Sequence, residues 1–184
     1  MNRVFKKIMA FLFLIAIGVF GYSYLNEGIF NKPLSPKKTV SFKVDNLELE
    51  VFYNRPSKRD RIVFGGLVPY NQVWRTGANE ATTFETNQDL KIANTLLPAG
   101  KYTLWTIPND TVWNVMFNTK QYDWGVDELM KPMRKSEFDI INAVFPTEEI
   151  NHSVEQFTIA FDNSTDNLSL TMAWDTTKVV IPLK

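Results

Sequence analysis

Residues 102–117, YTLWTIPNDTVWNVMF, decide the fold, because they have the pattern of two strands joined by a tight turn. In residues 102–107 apolar side chains occupy both sets of alternating positions, which predicts a central strand that is buried on both faces. Residues 108–110 (PND) are turn formers, and residues 112–117 return as a second apolar run. We therefore predict a β-hairpin in the middle of a sheet.

Alternating runs on either side of this hairpin extend the β pattern. Residues 47–53 alternate apolar with mostly polar side chains, and residues 168–174 do the same before a final strand that contains Val179 and Ile181. Residues 162–167 (DNSTDN) supply a turn between two of the predicted strands. The calcium-loop alternative for this segment is disfavoured, because it lacks the glycine and the bidentate glutamate that such loops require. An Asx-type hairpin turn is the better interpretation.

The spacing of these short strands predicts an all-β fold, an antiparallel β-sandwich or a jelly-roll-like domain. Only residues 127–141 have a helical pattern, from Leu129 and Met133 with Ile140 at loose spacing, so a parallel α/β fold is disfavoured. The tryptophans Trp74, Trp105, Trp113 and Trp174 alternate with other apolar residues. We expect them in the core.

The N-terminus predicts a membrane anchor. Residues 8–25 carry no charge and would span about 27 Å as a helix, close to the thickness of a bilayer's hydrocarbon core. Arg3, Lys6 and Lys7 precede this run, so the positive-inside rule places the N-terminus in the cytoplasm and the rest in the periplasm. The alternative is a cleaved signal peptide, which has a shorter apolar core and a small-x-small cleavage site. We favour an uncleaved signal-anchor, a single pass through a bacterial cell membrane.

Three parts follow along the chain. Residues 1–30 form the predicted transmembrane segment, residues 31–38 (NKPLSPKK) a short stiff tether, and residues 39–184 the β domain. The chain has 20 basic and 20 acidic residues, and this balance gives no indication of the basic face that nucleic-acid binding requires. It has no cysteine, which excludes disulfides, thiolate metal sites and a lipoprotein anchor.

Familiar catalytic and cofactor motifs are missing from the sequence. The single histidine, His152, lies in a polar stretch and has no nucleophile elbow to accompany it. One histidine without cysteine is too few ligands for zinc. Glycine-rich nucleotide loops are absent as well. We predict no metal and no cofactor.

Several motifs resemble the DUF2911 family, a bacterial family whose function is unassigned. The match runs from about Lys37 to the C-terminus, and the motifs that carry it are YNRP (53–56), FGGLVPY (64–70), VWRTGANEAT (73–82), LPAGKYTL (97–104), Ile107-Pro108, Trp113, Phe117-Asn118 and Trp124-Gly125. The resemblance implies an envelope-associated protein. This chain departs from the family pattern at Asp60-Arg61 and in the charged segment 126–137.

The best candidate site is the WRTGANE segment, residues 74–80. Arg75 carries five donors in a rigid fork, Asn79 both donors and an acceptor, and Glu80 a carboxylate. Gly77 permits a positive φ, so the chain could bend sharply and aim these groups at one ligand. The structural alternative is a buried Arg75–Glu80 ion pair with Asn79 capping backbone groups, which would close one end of the domain.

Other side chains could complete such a site. Arg55, Arg59 and Arg61 would add positive potential and favour an anionic or carboxylate-bearing ligand. Trp124, beside Gly125 and Asp123, is the tryptophan that we expect to be exposed.

Three functions remain open. The first is a membrane-anchored binding module for an envelope glycan, peptide or protein. The second is a structural envelope scaffold that acts through its sheet edges. The third is a hydrolase that pairs Glu80 with Glu85 or Asp123, which would require two close carboxyl groups, one of them with a raised pKa.

Overall fold

The computed structural model describes residues 2–26, 33–165 and 167–184, and it divides the chain into two compact units, Met1–Pro33 and Leu34–Lys184. The first unit contains one helix, α1 (Arg3–Asn26), whose described side chains are nearly all exposed. Residues Arg3–Tyr24 of this helix are long and apolar enough to cross a membrane, a property that signal sequences share.

The second unit is built from antiparallel strands. Their bounds are β1 (Lys37–Val44), β2 (Leu47–Asn54), β3 (Thr83–Thr86), β4 (Leu90–Ile92), β5 (Thr95–Leu97), β6 (Gly100–Pro108), β7 (Val112–Asn118), β8 (Asp139–Asp162) and β9 (Ser169–Pro182). A short 3-10 turn, Ser136–Phe138, precedes β8. Strand β1 begins two residues before Thr39, where we expected the domain to start.

Seven strands form one sheet in the order β1-β2-β3-β6-β7-β8-β9, and β4 and β5 form a separate hairpin. The fold class predicted from the sequence, an all-β antiparallel domain preceded by an apolar N-terminal helix, is confirmed. The predicted central hairpin is also confirmed, because β6 pairs with β3 on one side and with β7 on the other.

The sheet curls because β8 is long and changes partners along its length. Its first part pairs with β7 up to Pro146, and the remainder pairs with β9 from Thr147 onwards through two register shifts. The end of β2 then meets the far part of β8: the Tyr53 hydroxyl accepts the N–H of Ile159 at 2.9 Å, and the N–H of Phe157 donates to the carbonyl of Pro56 at 2.9 Å. These contacts bring distant edges of the sheet together around the main core.

Two predicted details of the second unit have different outcomes. The Asx turn between β8 and β9 is confirmed, since the Asp162 carboxylate accepts the N–H of Ser164 at 2.9 Å.

The prediction of a helix from the pattern of residues 127–141 was wrong. The Asp127 carboxylate instead accepts the N–H groups of Leu129 and Lys131 in a tight loop, and Met130 has a positive φ of 61°, which no α-helix allows.

Strand β6 is buried on both faces, as its sequence predicted. Leu104 points into the main core, and Trp105 lies in a second, smaller cluster with Ala81, Met116 and Tyr122. Trp105 is fully buried, and its ring meets that of Tyr122 edge-on at 5.4 Å between centroids. The small cluster therefore depends on one large side chain.

We expect Trp105→Ala to lower the free energy of unfolding by about 3–5 kcal/mol, because it leaves a cavity that the sheet cannot close. Chemical denaturation of the full-length chain in detergent micelles measures the change. Trp124→Ala is the matched control, since Trp124 is 46% exposed and its truncation should change the free energy of unfolding by less than about 0.5 kcal/mol. Equal midpoints for Trp105→Ala and the wild type would contradict the burial of Trp105.

Candidate functional site

The WRTGANE segment is attached to the central strand through Trp74. The N–H of Trp74 donates to the Thr106 carbonyl at 2.7 Å, and the Thr106 N–H donates to the Trp74 carbonyl at 3.1 Å. This pair lies beyond Thr103, where the pairing of β6 with β3 stops at Thr83. Thr76, which follows Arg75, contacts the same strand residue: the hydroxyls of Thr76 and Thr106 lie 3.1 Å apart. Trp74 and Thr76 are thus both held against β6, and Arg75 lies between them.

The Trp74 side chain belongs to an aromatic cluster, which we define as Phe64, Trp74, Trp113, Phe157 and Trp174. Trp74 stacks on Trp174 with 6.0 Å between ring centroids and 18° between ring planes, and its centroid is 4.9 Å from that of Phe157. The indole N–H of Trp74 donates to the Gly77 carbonyl at 3.1 Å, so the ring and the loop hold each other in place.

Gly77 is required where the segment turns back. Its φ is +152°, and a Cβ there would stand 2.9 Å from the carbonyl oxygen of Asn54. A side chain at this position would be both strained and too close to β2. The turn is completed by the Thr82 hydroxyl, which donates to the Thr76 carbonyl at 2.8 Å.

Arg75 is a half-buried cation that forms no ion pair with any carboxylate in the described part of the chain. Its Nε is buried and has no hydrogen-bond partner, and the ion pairs among the described residues do not include it. Burial lowers the pKa of its guanidinium below the ordinary value. Its aliphatic stem packs on Gly125, where a Cβ would stand 2.5 Å from both Cβ and Cδ of Arg75.

Arg75 lines a cavity of about 440 Å³ together with Arg59 and Arg61. We call this the three-arginine cavity. No aspartate or glutamate is among its described lining residues, and Trp74 and Trp174 of the aromatic cluster form part of its wall. With three arginines and no carboxylate among its described lining residues, the cavity favours an anion over a cation, although the Glu155 carboxylate beside it accepts the backbone N–H of Arg59 at 3.1 Å.

The two further arginines contact backbone carbonyls and form no ion pair with any described carboxylate. Arg61 donates to the carbonyls of Ser57 at 2.7 Å and Lys58 at 2.9 Å, and Arg59 donates to the carbonyl of Leu34 at 3.2 Å. A neutral carbonyl orients a guanidinium without cancelling its charge. Both arginines also keep N–H donors that these contacts do not use.

Glu80 does not pair with Arg75, so the buried Arg75–Glu80 ion pair considered above was wrong. The Glu80 carboxylate instead accepts from Lys37 Nζ at 2.5 Å and from the Asn54 amide at 2.8 Å. The hydrogen bond from Lys37 is the main reason that the pKa of Glu80 is lowered. The Asn79 amide lies 3.5 Å from the Asn54 side chain, at the limit of a hydrogen bond. Asn79 and Glu80 thus belong to a polar cluster that does not line the cavity.

The remaining predicted site residues lie elsewhere. Arg55 donates to the Phe157 carbonyl and the Thr158 hydroxyl of β8, which makes it part of the contact that closes the sheet. Trp124 borders a separate shallow surface with Leu129 and Met133. His152 is exposed on β8. Within residues 2–26, 33–165 and 167–184 no three His, Asp or Glu side chains are grouped as metal ligands would be.

The structure therefore brings together Arg75 and Arg61, with Arg59, and leaves Arg55, Asn79, Glu80 and Trp124 outside the cavity. Sequence reasoning missed Trp174 and Met130 as lining residues. Trp174 lies about 100 residues after the WRTGANE segment, and its sequence pattern predicts a core residue. Met130 lies in the segment that was predicted to be helical.

We expect Glu80→Gln to lower the free energy of unfolding by only about 0.2–1 kcal/mol at pH 7, because its partner Lys37 is well exposed and glutamine can still accept from Asn54. A group whose folded pKa is lowered contributes stability above its unfolded pKa and loses it as the pH falls through the folded pKa. The difference between wild type and Glu80→Gln should therefore be fully present at neutral pH, begin to fall near the ordinary pKa of 4.5 and vanish only below the lowered pKa of the folded state. Denaturation midpoints across this pH range test it, and a difference that persists in acid would contradict it.

Comparison with known proteins gives one match, to a family model. The model described as "Protein of unknown function (DUF2911)" matches residues 35–183. Comparisons with curated proteins and with solved structures gave no match. The matched region includes every strand of the curled sheet, the three-arginine cavity except Leu34, and the WRTGANE segment. Since the match covers most of the chain and agrees with the motifs read from the sequence, this protein belongs to the DUF2911 family.

Proposed function

We propose that this protein is a membrane-anchored binding module that holds a small anionic ligand in the three-arginine cavity. The observation that carries the proposal is Arg75, whose buried Nε has no partner and whose charge is not balanced within the described residues. A buried polar group without a partner costs about 1–3 kcal/mol, and more when it is charged. Such a group lowers the stability of the free protein, and a ligand that pairs with it recovers this free energy on binding.

An anion would supply what Arg75 lacks. Carboxylate and phosphate groups accept two parallel hydrogen bonds from a guanidinium, and these charge-assisted bonds are stronger than neutral ones. Bound charge would also reverse the lowering of the pKa of Arg75 by burial. Arg59 and Arg61 would add longer-range attraction. Among the glycans, peptides and proteins of the envelope, the proposal favours those that present a carboxylate or a phosphate.

The hydrolase alternative finds less support. A carboxylate-pair mechanism needs a general acid with a raised pKa, whereas the pKa of Glu80 is lowered by Lys37. Glu85 forms a surface ion pair with Lys101 at 3.3 Å. Neither residue lines the cavity, and Asp123 does not line it either. The scaffold alternative gives the unpaired guanidinium no role.

Arg75→Met tests this proposal, because methionine keeps a long apolar stem against Gly125 and removes the charge. Without ligand, we expect the free energy of unfolding to stay equal or to rise by about 1 kcal/mol, since a partly desolvated cation is lost. Phosphate and citrate, compared with chloride at equal ionic strength, should raise the melting temperature of the wild type by more than that of Arg75→Met, because the excluded-anion effect is common to both proteins and only binding adds to it. Differential scanning fluorimetry of the full-length chain in detergent measures both.

Lys101→Met is the matched control, because it removes one positive charge from β6 outside the cavity. Its response to phosphate and citrate should equal that of the wild type. An equal anion response in Arg75→Met and the wild type would overturn the proposed binding site.

The anchor in this proposal is the N-terminal helix. Its apolar residues 8–25 follow Arg3, Lys6 and Lys7, and this order of charges favours a cytoplasmic N-terminus with the β domain in the periplasm. We propose residues 1–30 as the anchor, residues 31–38 as the tether and residues 39–184 as the domain outside the cytoplasm.

We expect the full-length protein to stay in the membrane fraction after carbonate washing, and its β domain to become accessible to protease when the outer membrane is permeabilised. Replacing Arg3, Lys6 and Lys7 with glutamine should reduce that accessibility, because the orientation signal is weakened. A soluble protein with a mature N-terminus near Asn26 would show that the segment is a cleaved signal peptide.

A further inference from the structure

The wall of the three-arginine cavity is chemically divided. The guanidinium groups of Arg59, Arg61 and Arg75 provide charge, and most of the other lining residues are apolar or aromatic, among them Val68 and Trp74. A small hydrophilic anion would contact the arginines and leave the apolar part of the wall in contact with water. A ligand that fills both parts has a charged head and an apolar body.

The loops that border this cavity expose apolar side chains to solvent. Leu67 and Met130 lie in the lining and are 41% and 67% exposed. Ile62, whose carbonyl accepts the N–H of Leu67, is 76% exposed, and Leu129, the chain neighbour of Met130, is 75% exposed. Apolar side chains that are grouped around a charged cavity are typical of a surface that contacts another apolar phase.

The N-terminal end of the β unit takes part in the same cavity. Leu34 is the first residue of the unit, it lines the cavity, and its carbonyl accepts the hydrogen bond from Arg59. In the sequence only residues 27–33 separate Leu34 from the apolar helix α1.

We infer that the ligand of the three-arginine cavity is an anionic phospholipid. Its phosphate binds Arg75, and part of its acyl chain lies against Trp74 and the apolar loop residues. This inference rests on the proposed function, because it names the ligand class of the same cavity. Charge complementarity selects the anionic headgroup, and the apolar wall selects a lipid over a free soluble anion. For a chain with a membrane anchor, phospholipid is also the amphiphile in greatest supply.

Brominated acyl chains provide the test, because bromine quenches the fluorescence of nearby tryptophans and both Trp74 and Trp174 line the cavity. The full-length chain carrying Trp124→Phe, which removes the exposed indole, is placed in nanodiscs of phosphatidylcholine and phosphatidylglycerol. Two preparations have the same lipid ratio. The bromine is on phosphatidylglycerol in one and on phosphatidylcholine in the other, at equal total bromine.

We expect stronger quenching when phosphatidylglycerol carries the bromine, loss of this preference in Arg75→Met, and its retention in Lys101→Met. A preference that survives in Arg75→Met would overturn the inference, since it would report a lipid contact that does not depend on the Arg75 guanidinium. No preference in any variant would overturn it too.

A second arm separates this inference from the proposed function. Glycerol 3-phosphate, the soluble counterpart of the headgroup, is added to the chain in pure phosphatidylcholine nanodiscs and the melting temperature is measured. If it stabilises the wild type and not Arg75→Met while bromine shows no preference, the anion site stands and the lipid inference fails. If neither arm depends on Arg75, both the site and the inference fail.

Discussion

The paired backbone hydrogen bonds between Trp74 and Thr106 hold the long connection between β2 and β3 against the central strand. They place the Trp74 ring in the aromatic cluster, whose other members come from β7, β8, β9 and the Phe64 loop. Trp74 and Thr76 are both held against β6, and the residue between them, Arg75, lines the three-arginine cavity. One contact thus orders both the packing at this end of the sheet and the position of the unpaired guanidinium.

Much of the fold follows from local sequence pattern. Residues 47–53 and 102–117 became strands because their alternation matches a pleated sheet with one or two buried faces. The pattern failed where side chains and backbone compete, as in residues 127–141, where the Asp127 carboxylate organises a loop. It also gave no sign that β8 would run for 24 residues and change partners midway, since its central part is polar and mostly exposed.

The candidate site shows a different limit. The sequence identified the WRTGANE segment, and Arg75 and Arg61 do line one cavity. It could not assign partners, because these depend on contacts between distant parts of the chain. Glu80 is neutralised by Lys37 at the start of β1, and Arg75 is left without a carboxylate among the described residues. Arg75 and Glu80 are close along the chain, but the Glu80 carboxylate faces Lys37 and Asn54. The lack of an ion pair at Arg75 is apparent only from the positions of the described carboxylates.

Gly125 links the arginine to the rest of the chain in a way that bears on the evolution of the family. Its missing side chain leaves the space that the Arg75 stem occupies, and its N–H donates to the Asn79 carbonyl at 3.2 Å. A larger residue at position 125 would displace the arginine, and a shorter one at position 75 would open a void beneath the loop. The two positions should therefore co-vary among homologues, with relatives that have lost the arginine free to fill the glycine position. Such paired exchanges would mark the branches of the family in which this cavity has changed its chemistry.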